Sequence, residues 1–500
     1  MNQLGKNILS NFGMQLMVLL SQLVLLPFYV HLLGVEAYAW IGIYVSLQGL
    51  FVMLDLGMST TINQEMARLS GDEGSKKEAS HVLKTFELSY WMIGLFIFVL
   101  VYFLVPLITS SWEAQISASQ YRSGILWIAI LVVLRFPVSF YMGALNGMQQ
   151  QFNMNVLLIL LEILKFAGIV IGIRCIYADI LLFFWVNIAI GILTIAGLRY
   201  LAIKVLGKGW GQGRFEWEYL RRNWRFSLGV SIISLAAVAV SQMDKILLGK
   251  LVSMHDFSLY TLAFSIAALP TRITGSIASA FYPLFVREKS NERIEQLITV
   301  YHRSCQAISI IILPAVIISI LFMPELLTLW FGNKETADNL VPLVRVLMLG
   351  FCFNGLVTMP YYLQLAFRWT RLSVYKNLIA LVILLPGLYL SVLGYGISGA
   401  VWIWFLLNLF YFVLEIPVMH GRILRSEITK YYTHDTGWVM LLSALISFGF
   451  WFLLHYWTIH DFVLLLLLML LGVGQVILLN NLSTEKPLRY LFFRNENSAP

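Results

Sequence analysis

The chain has 500 residues, of which 59% are hydrophobic and only 12% charged, with a formal net charge of +8. A soluble domain carries roughly 25% charged residues, so this composition excludes a soluble globular protein. In a membrane protein a basic excess reports topology rather than nucleic-acid binding.

The apolar residues come in blocks of about 20, enough to cross a ~30 Å hydrocarbon core as a helix. There the backbone must satisfy its own hydrogen bonds, so each block is read as helical. In chain order the blocks predict helices at about 8–32, 38–60, 86–108, 122–145, 153–174, 180–203, 224–249, 257–284, 302–322, 341–366, 373–393, 397–417, 437–456 and 461–480. The expected fold class is an all-α polytopic membrane protein of about 14 transmembrane helices, two pseudo-symmetric six-helix lobes plus two C-terminal helices. Residues 1–203 would form the N-terminal lobe, 204–223 a cytoplasmic linker, 224–417 the C-terminal lobe, and 418–500 helices 13 and 14 with a cytoplasmic tail. The first run, Met14 to Leu33, is longer than the apolar core of a cleaved signal peptide. Loops are short: 323–340 is the longest on the outer side, and 61–85 and 204–223 on the inner.

Lys and Arg set the orientation. With the N-terminus inside, 25 of the 34 fall in inner segments and 4 in outer ones (Arg122, Arg174, Lys250 and Lys334). A missed helix would invert every later loop and destroy this bias, so both termini are expected in the cytoplasm. An internal repeat supports the two lobes. His31–Leu47 aligns with Lys250–Ile266 at an offset of 219, and Asn146–Asn155 falls on Leu365–Val374 at the same offset. An even number of helices separates the copies, which implies a pseudo-two-fold axis along the membrane normal.

Ionisable residues inside spans carry the functional signal, because each costs roughly 2.5–3.5 kcal/mol at a helix centre unless paired or solvated. Arg135, Glu162, Lys165 and Arg272 fall near mid-helix; Asp55, Asp244, Lys245, Arg345 and Glu415 lie nearer the ends. Glu162 and Lys165 share a helix face, either as a self-neutralising pair or as part of a cationic cavity with Arg135 and Arg272. Such a cavity would suit an anionic phosphate or diphosphate head, with Arg135, Lys165 and Arg272 binding substrate. Glu162 and Asp55 are the candidates for tuning the cavity or coupling an ion. Asp244 and Lys245 read as an interfacial pair that snorkels. Trp40, Tyr44, Tyr141, Trp185, Tyr260, Tyr361, Tyr362, Trp402 and Trp404 read mostly as membrane-interface belts.

No metal or cofactor is expected. The eight His are scattered without HExxH spacing, and Cys175, Cys305 and Cys352 read as small core residues. The Gly207, Gly209, Gly211, Gly213 alternation follows no strand, and no Walker A pattern occurs.

The opening of the chain resembles the polysaccharide-exporter, O-antigen flippase (Wzx-type) group of the MOP superfamily. The matching residues are the turn Leu33, Gly34, Glu36, Tyr38 and the element Asp55, Leu56, Gly57, Ser59, Thr60. The segments 241–251 and 259–270 resemble the start of that family's second half, and Ala39 departs from its usual Gly. The resemblance implies a non-enzymatic flippase of the bacterial inner membrane. It would move undecaprenyl-diphosphate-linked oligosaccharides from the cytoplasmic to the periplasmic leaflet. Proton or sodium exchange is compatible with this reading, as is association with a polysaccharide polymerase and a chain-length regulator. Two rivals are a multidrug cation exporter of the same superfamily, which would want a net acidic cavity, and a polymerase or ligase, which would want a large periplasmic loop.

The charge bias generates a test. A cysteine placed at Gly209 in the linker should react with an impermeant thiol reagent only after the membrane is opened. Labelling in intact cells would overturn the fourteen-helix topology.

Overall fold

A computed structural model describes residues 3–35, 37–51, 58–69, 76–109, 118–175, 180–207, 210, 213–219, 221, 242–367, 369, 371–455 and 461–488, and among these there is no strand. Helix α1 spans Gln3–Leu33, α2 Ala37–Phe51, α3 Met58–Leu69, α4 Lys76–Ile108, α5 Ala118–Gly147, α6 Gln151–Cys175 and α7 Ile180–Leu206. A further helical run covers 242–251. Then follow α8 Met254–Ala267, α9 Leu269–Ser290, α10 Ile294–Leu321, α11 Met323–Phe331, α12 Lys334–Ala366 and α13 Arg371–Phe410. The last elements are α14 Ile416–Ile423, α15 Ile428–Lys430, α16 Trp438–His455 and α17 Asp461–Leu482. Two wider π-helical turns, Tyr411–Glu415 and Tyr431–Gly437, precede α14 and α16. Among the described residues, nine helical runs are long and apolar enough to cross a membrane. Of the predicted seventh helix, 224–241 lies outside the described residues.

The chain divides into two compact units, Met1–Thr261 and Leu262–Pro500. In the first, α5 packs against α2, α3, α4 and α7, while α6 packs against α1 and α7. In the second, α12 packs against α9, α10, α11 and α13, and α10 also meets α16 and α17. Leu95, Phe96, Phe103 and Leu107 of α4 are 62–68% exposed. In water that stripe would be costly; in hydrocarbon it needs no cover.

Several element ends differ from expectation for identifiable reasons. The predicted inner loop 61–85 is largely helical: Ile62, Met66 and Leu69 of α3 are buried at helical spacing. Helix α4 starts at Lys76, ahead of its apolar block, and its first turns serve as a dock for the chain after α7. Ser80 Oγ donates to the Trp210 carbonyl at 3.1 Å, Lys84 Nζ to Gly213 O at 3.0 Å, and Glu216 N to Thr85 Oγ1 at 2.9 Å. The Trp210 ring lies 5.0 Å from Lys84 Nζ and 5.3 Å from the Arg199 guanidinium, both cation–π distances. In the outer loop, Gly332 ends α11 at φ +64° and Asn333 Oδ1 caps α12 by accepting from Glu335 N at 2.9 Å. Gly396, at φ 58° and ψ −141°, breaks α13 between the predicted eleventh and twelfth helices.

The repeat is visible in the element ends. Helix α5 ends at Gly147 and α12 at Ala366, 219 positions on. Each is followed within five residues by the start of the next long helix, α6 or α13.

Helix packing gives a matched pair of substitutions. A Cβ on Gly143 of α5 would lie 2.5 Å from the backbone oxygen of Ser59 on α3, whereas one on Gly275 of α9 would meet nothing within 4 Å. Gly143→Ala should therefore destabilise the detergent-solubilised protein by about 1–3 kcal/mol. Gly275→Ala should be neutral or stabilise by up to ~1 kcal/mol. Thermal melting of the two variants beside wild type reads the difference, and equal midpoints would contradict the close crossing of α3 and α5.

Candidate functional site

Three of the residues singled out from sequence come together in the first unit. Glu162 and Lys165 are one turn apart on α6, and Lys165 Nζ lies 2.6 Å from Glu162 Oε2. Both side chains are mostly buried, at 11% and 15% exposure. Arg135 on α5 lies within electrostatic reach of Glu162, Lys165 and the Tyr44 side chain. It is exposed within its apolar span although its neighbour Phe136 is buried. Pro137 removes one intrahelical N–H from the same turn. The local sum is two cations and one anion.

An aromatic frame stands beside these charges. Tyr29 of α1 and Tyr44 of α2 both meet Phe183 of α7 edge-on, with centroids 5.4 and 6.2 Å apart. Tyr29 is also within electrostatic reach of Glu162. Hydroxyl-bearing rings around a partly neutralised cationic group can hydrogen-bond an anionic guest while excluding bulk water.

Arg272 belongs to the second unit. It sits in the first turn of α9, after Pro270, where the helix restarts beyond Ala268. The Ala268 carbonyl accepts from Thr271 N at 3.0 Å and from Thr271 Oγ1 at 2.7 Å. The Arg272 side chain is exposed, with no carboxylate in ion-pair range among the described residues. Asp55 lies outside the described residues. A groove of about 460 Å³ between α6 and α7 is lined by apolar side chains with Gln150, Asn153 and Lys204, and none of the predicted binding residues lines it.

Other charged groups depart from the sequence reading. Asp244 and Lys245 do not snorkel: they are 3% and 6% exposed, 3.2 Å apart, and Tyr260 Oη donates to Asp244 at 2.5 Å. Of the aromatics read as an interface belt, Trp185 and Trp402 are 55% and 53% exposed, whereas Trp40, Tyr44, Tyr141, Tyr260 and Trp404 are buried. Tyr141 Oη donates to Glu87 Oε1 at 2.7 Å, and Arg199 Nε joins the same oxygen at 2.8 Å, tying α4, α5 and α7. Lys376 and Glu415 form an ion pair that sequence inspection missed, with Gln364 Nε2 donating to Glu415 Oε1 at 2.9 Å. The Lys376 ammonium also lies 4.5 Å from the Tyr411 ring. Their 39-residue separation carries no sequence signal; only an unpaired acid late in a span and a lone Lys early in another hint at it.

Apolar spans, charges held inside them and two compact helical units define a polytopic helical membrane fold. Structures of similar fold bear this out. They include an inward-facing multidrug resistance MATE-family transporter (TM-score 0.67, 17% identity, 82% of this chain and 96% of that one). The lipid II flippase MurJ in an inward closed conformation is another (TM-score 0.67, 14% identity, 97% and 99%). The chain belongs to the family described as polysaccharide biosynthesis protein, whose model matches residues 4–289. A Shigella flexneri protein named as an O-antigen transporter is 22% identical over 190 residues, 38% of this chain and 44% of that protein. Against the curated relatives it matches, the chain spans between 44% and 63% of their length. The resemblance read from the opening residues is thereby upheld.

The pairing on α6 predicts a stability effect. Glu162→Gln leaves the Lys165 ammonium unpartnered inside a span and should destabilise the purified protein by about 3 kcal/mol. Adding Lys165→Gln should restore most of the loss. If the single and double variants melt together, Glu162 does not stabilise through Lys165.

Proposed function

We propose that this chain is a flippase for undecaprenyl-diphosphate-linked oligosaccharide repeat units, of O-antigen or a related surface polysaccharide. It carries them from the cytoplasmic to the periplasmic leaflet by alternating access. The observation that carries this reading is the mid-span cluster of Arg135 and Lys165, only half neutralised by Glu162. A buried ion pair alone would serve packing and leave no net charge. Here a second cation, exposed within its span, requires a polar guest or water. A diphosphate supplies two charged groups that accept hydrogen bonds from a planar guanidinium and an ammonium together. Membership of a family described as polysaccharide biosynthesis protein supports a saccharide cargo, and the names of an O-antigen transporter and a lipid II flippase among similar proteins support a lipid-borne one.

In this mechanism Arg135 and Lys165 bind the diphosphate, Glu162 limits how tightly, Arg272 is a further substrate-binding cation of its own unit, and the polyprenyl tail stays in the bilayer. Asp55 or Glu162 would take up a coupling proton or sodium ion. The net positive charge at Arg135 and Lys165 argues against the cation-exporter alternative, which needs an acidic site to attract its cargo.

A strain lacking the protein should lose surface polysaccharide and accumulate single lipid-linked units on the inner leaflet. Drug sensitivity with intact polysaccharide would favour the exporter instead. In complementation, Arg135→Ala or Arg272→Ala should reduce transport roughly 10- to 100-fold, the effect of losing one charge-assisted hydrogen bond of ~1.5–3 kcal/mol. Lys at either position should rescue partly. Full activity of the double alanine variant at normal abundance would refute the cavity.

A further inference from the structure

Two segments of the second unit converge on His302, which the mid-span cationic cluster does not use. The His302 ring, on α10, has no exposed surface. Its Nδ1 lies 2.5 Å from Asp435 Oδ2 in the second π-helical turn, and its Nε2 lies 2.9 Å from Glu427 Oε2 in the short connection before α15. A neutral imidazole has one N–H and one lone pair. Between two ionised carboxylates it would turn that lone pair against an anionic oxygen in a buried place. Two such short contacts need two protons, so the triad retains one proton beyond a neutral histidine with two carboxylates.

The neighbouring side chains are engaged in contacts of their own. Gln306 Nε2 donates to Asp435 Oδ1 at 3.1 Å, and Gln306 Oε1 accepts from Ser483 Oγ, just beyond α17, at 2.6 Å. His434 Nδ1 accepts from the same Gln306 nitrogen at 2.8 Å and lies 3.8 Å from Asp435 Oδ1, its side chain 40% exposed. His420 Nδ1 donates to the Ile416 carbonyl at 2.9 Å, and its Nε2 lies 3.2 Å from Tyr301 Oη. Arg303 is engaged by Glu485 at 2.8 Å. Lys430 acts on Glu427 from α15, and the Cys305 thiol and Tyr431 lie near Asp435. His302 is thus the group that faces both carboxylates. Glu427 lies outside the spanning helices. Burial pushes its carboxyl up, but hydrogen bonds from Ser426 and His302 outweigh this and hold it below the usual carboxylate range.

We propose that His302, Asp435 and Glu427 form a proton-binding site whose bound proton locks α10 to the 424–437 segment and, through Gln306 and Ser483, to the end of α17. Glu427, 17% exposed, is the mouth, and Asp435, with no exposed surface, is the inner terminus. A proton from water passes through Glu427 to Nε2 of His302, and the Nδ1–H is shared with Asp435. Release reverses the path, with no change in oxidation state. Loss of the proton sets a lone pair against a buried carboxylate and opens the contact. The site stands whatever substrate the chain carries.

The test uses the full chain in vesicles of a zwitterionic phospholipid, followed by pH-difference infrared spectroscopy. In wild type, imidazolium and carboxylate bands should change together at one midpoint, and amide hydrogen exchange over 424–437, corrected for its intrinsic pH dependence, should rise above it. His302→Gln should abolish both. Glu427→Gln removes one of the two anions and should move the midpoint down by about 1–3 pH units. Band changes that survive His302→Gln, or a midpoint unmoved by Glu427→Gln, would overturn the proton site. Exchange that ignores the midpoint would overturn the lock. If His302→Gln does not fold, Glu427→Gln decides alone, because its side chain sits at the mouth of the site.

Discussion

Hydrocarbon offers no partner to a charge or a backbone polar group, so the protein must supply one for each. Most charges in these spans have been answered internally. Lys165 faces Glu162, and Lys376 faces Glu415 beneath the Tyr411 ring. Asp244 has Lys245 and Tyr260, and Arg345 Nε donates to the Ile320 carbonyl at 2.9 Å. Arg135 and Arg272 differ: both are exposed, and neither has a carboxylate in ion-pair range among the described residues. A charge that the fold leaves open is the one available to a guest. The functional reading rests on this contrast more than on the number of basic residues.

Holding a charge open requires a scaffold that does not collapse around it. In the first unit that rigidity comes from close helix crossings and from polar ties set away from Arg135. Gly143 admits the α3 backbone against α5, and Gly172 and Gly197 admit Leu182 and Leu157 at the α6–α7 crossing. The Glu87, Tyr141 and Arg199 network joins three helices at another level. With α4, α5 and α7 tied there, Arg135 need not contribute to packing.

How much of this was legible depended on the range of the interaction. Helices could be read because hydrocarbon thickness imposes its own length on the sequence. The Glu162–Lys165 pair could be read because an i,i+3 spacing already places both groups on one face. Helix α3 escapes a hydropathy reading because it is amphipathic and short, and hydropathy blocks detect only uniformly apolar segments. Asp244 and Lys245 were misplaced because their burial depends on Tyr260 from the following helix. His302 and Asp435 are 133 residues apart, and the turn that presents Asp435 departs from the 3.6-residue period on which any face assignment rests.

The two π-helical turns have a consequence for how the chain can vary. Each carries a buried carboxylate, Glu415 in one and Asp435 in the other. A π turn holds a surplus residue that an α-helix would not accommodate. Deleting it would restore regular hydrogen bonding, yet rotate everything downstream by about 100°, the angle of one residue in an α-helix. Beyond Tyr431–Gly437 lies α16, where Leu441 and Leu445 are 63% and 71% exposed while Ser443 and Ser447 are buried. Such a rotation would turn serines toward lipid and leucines toward α10. Local backbone regularity and the lipid-facing stripe of α16 are therefore in conflict, and the surplus residue is held in place by the membrane itself.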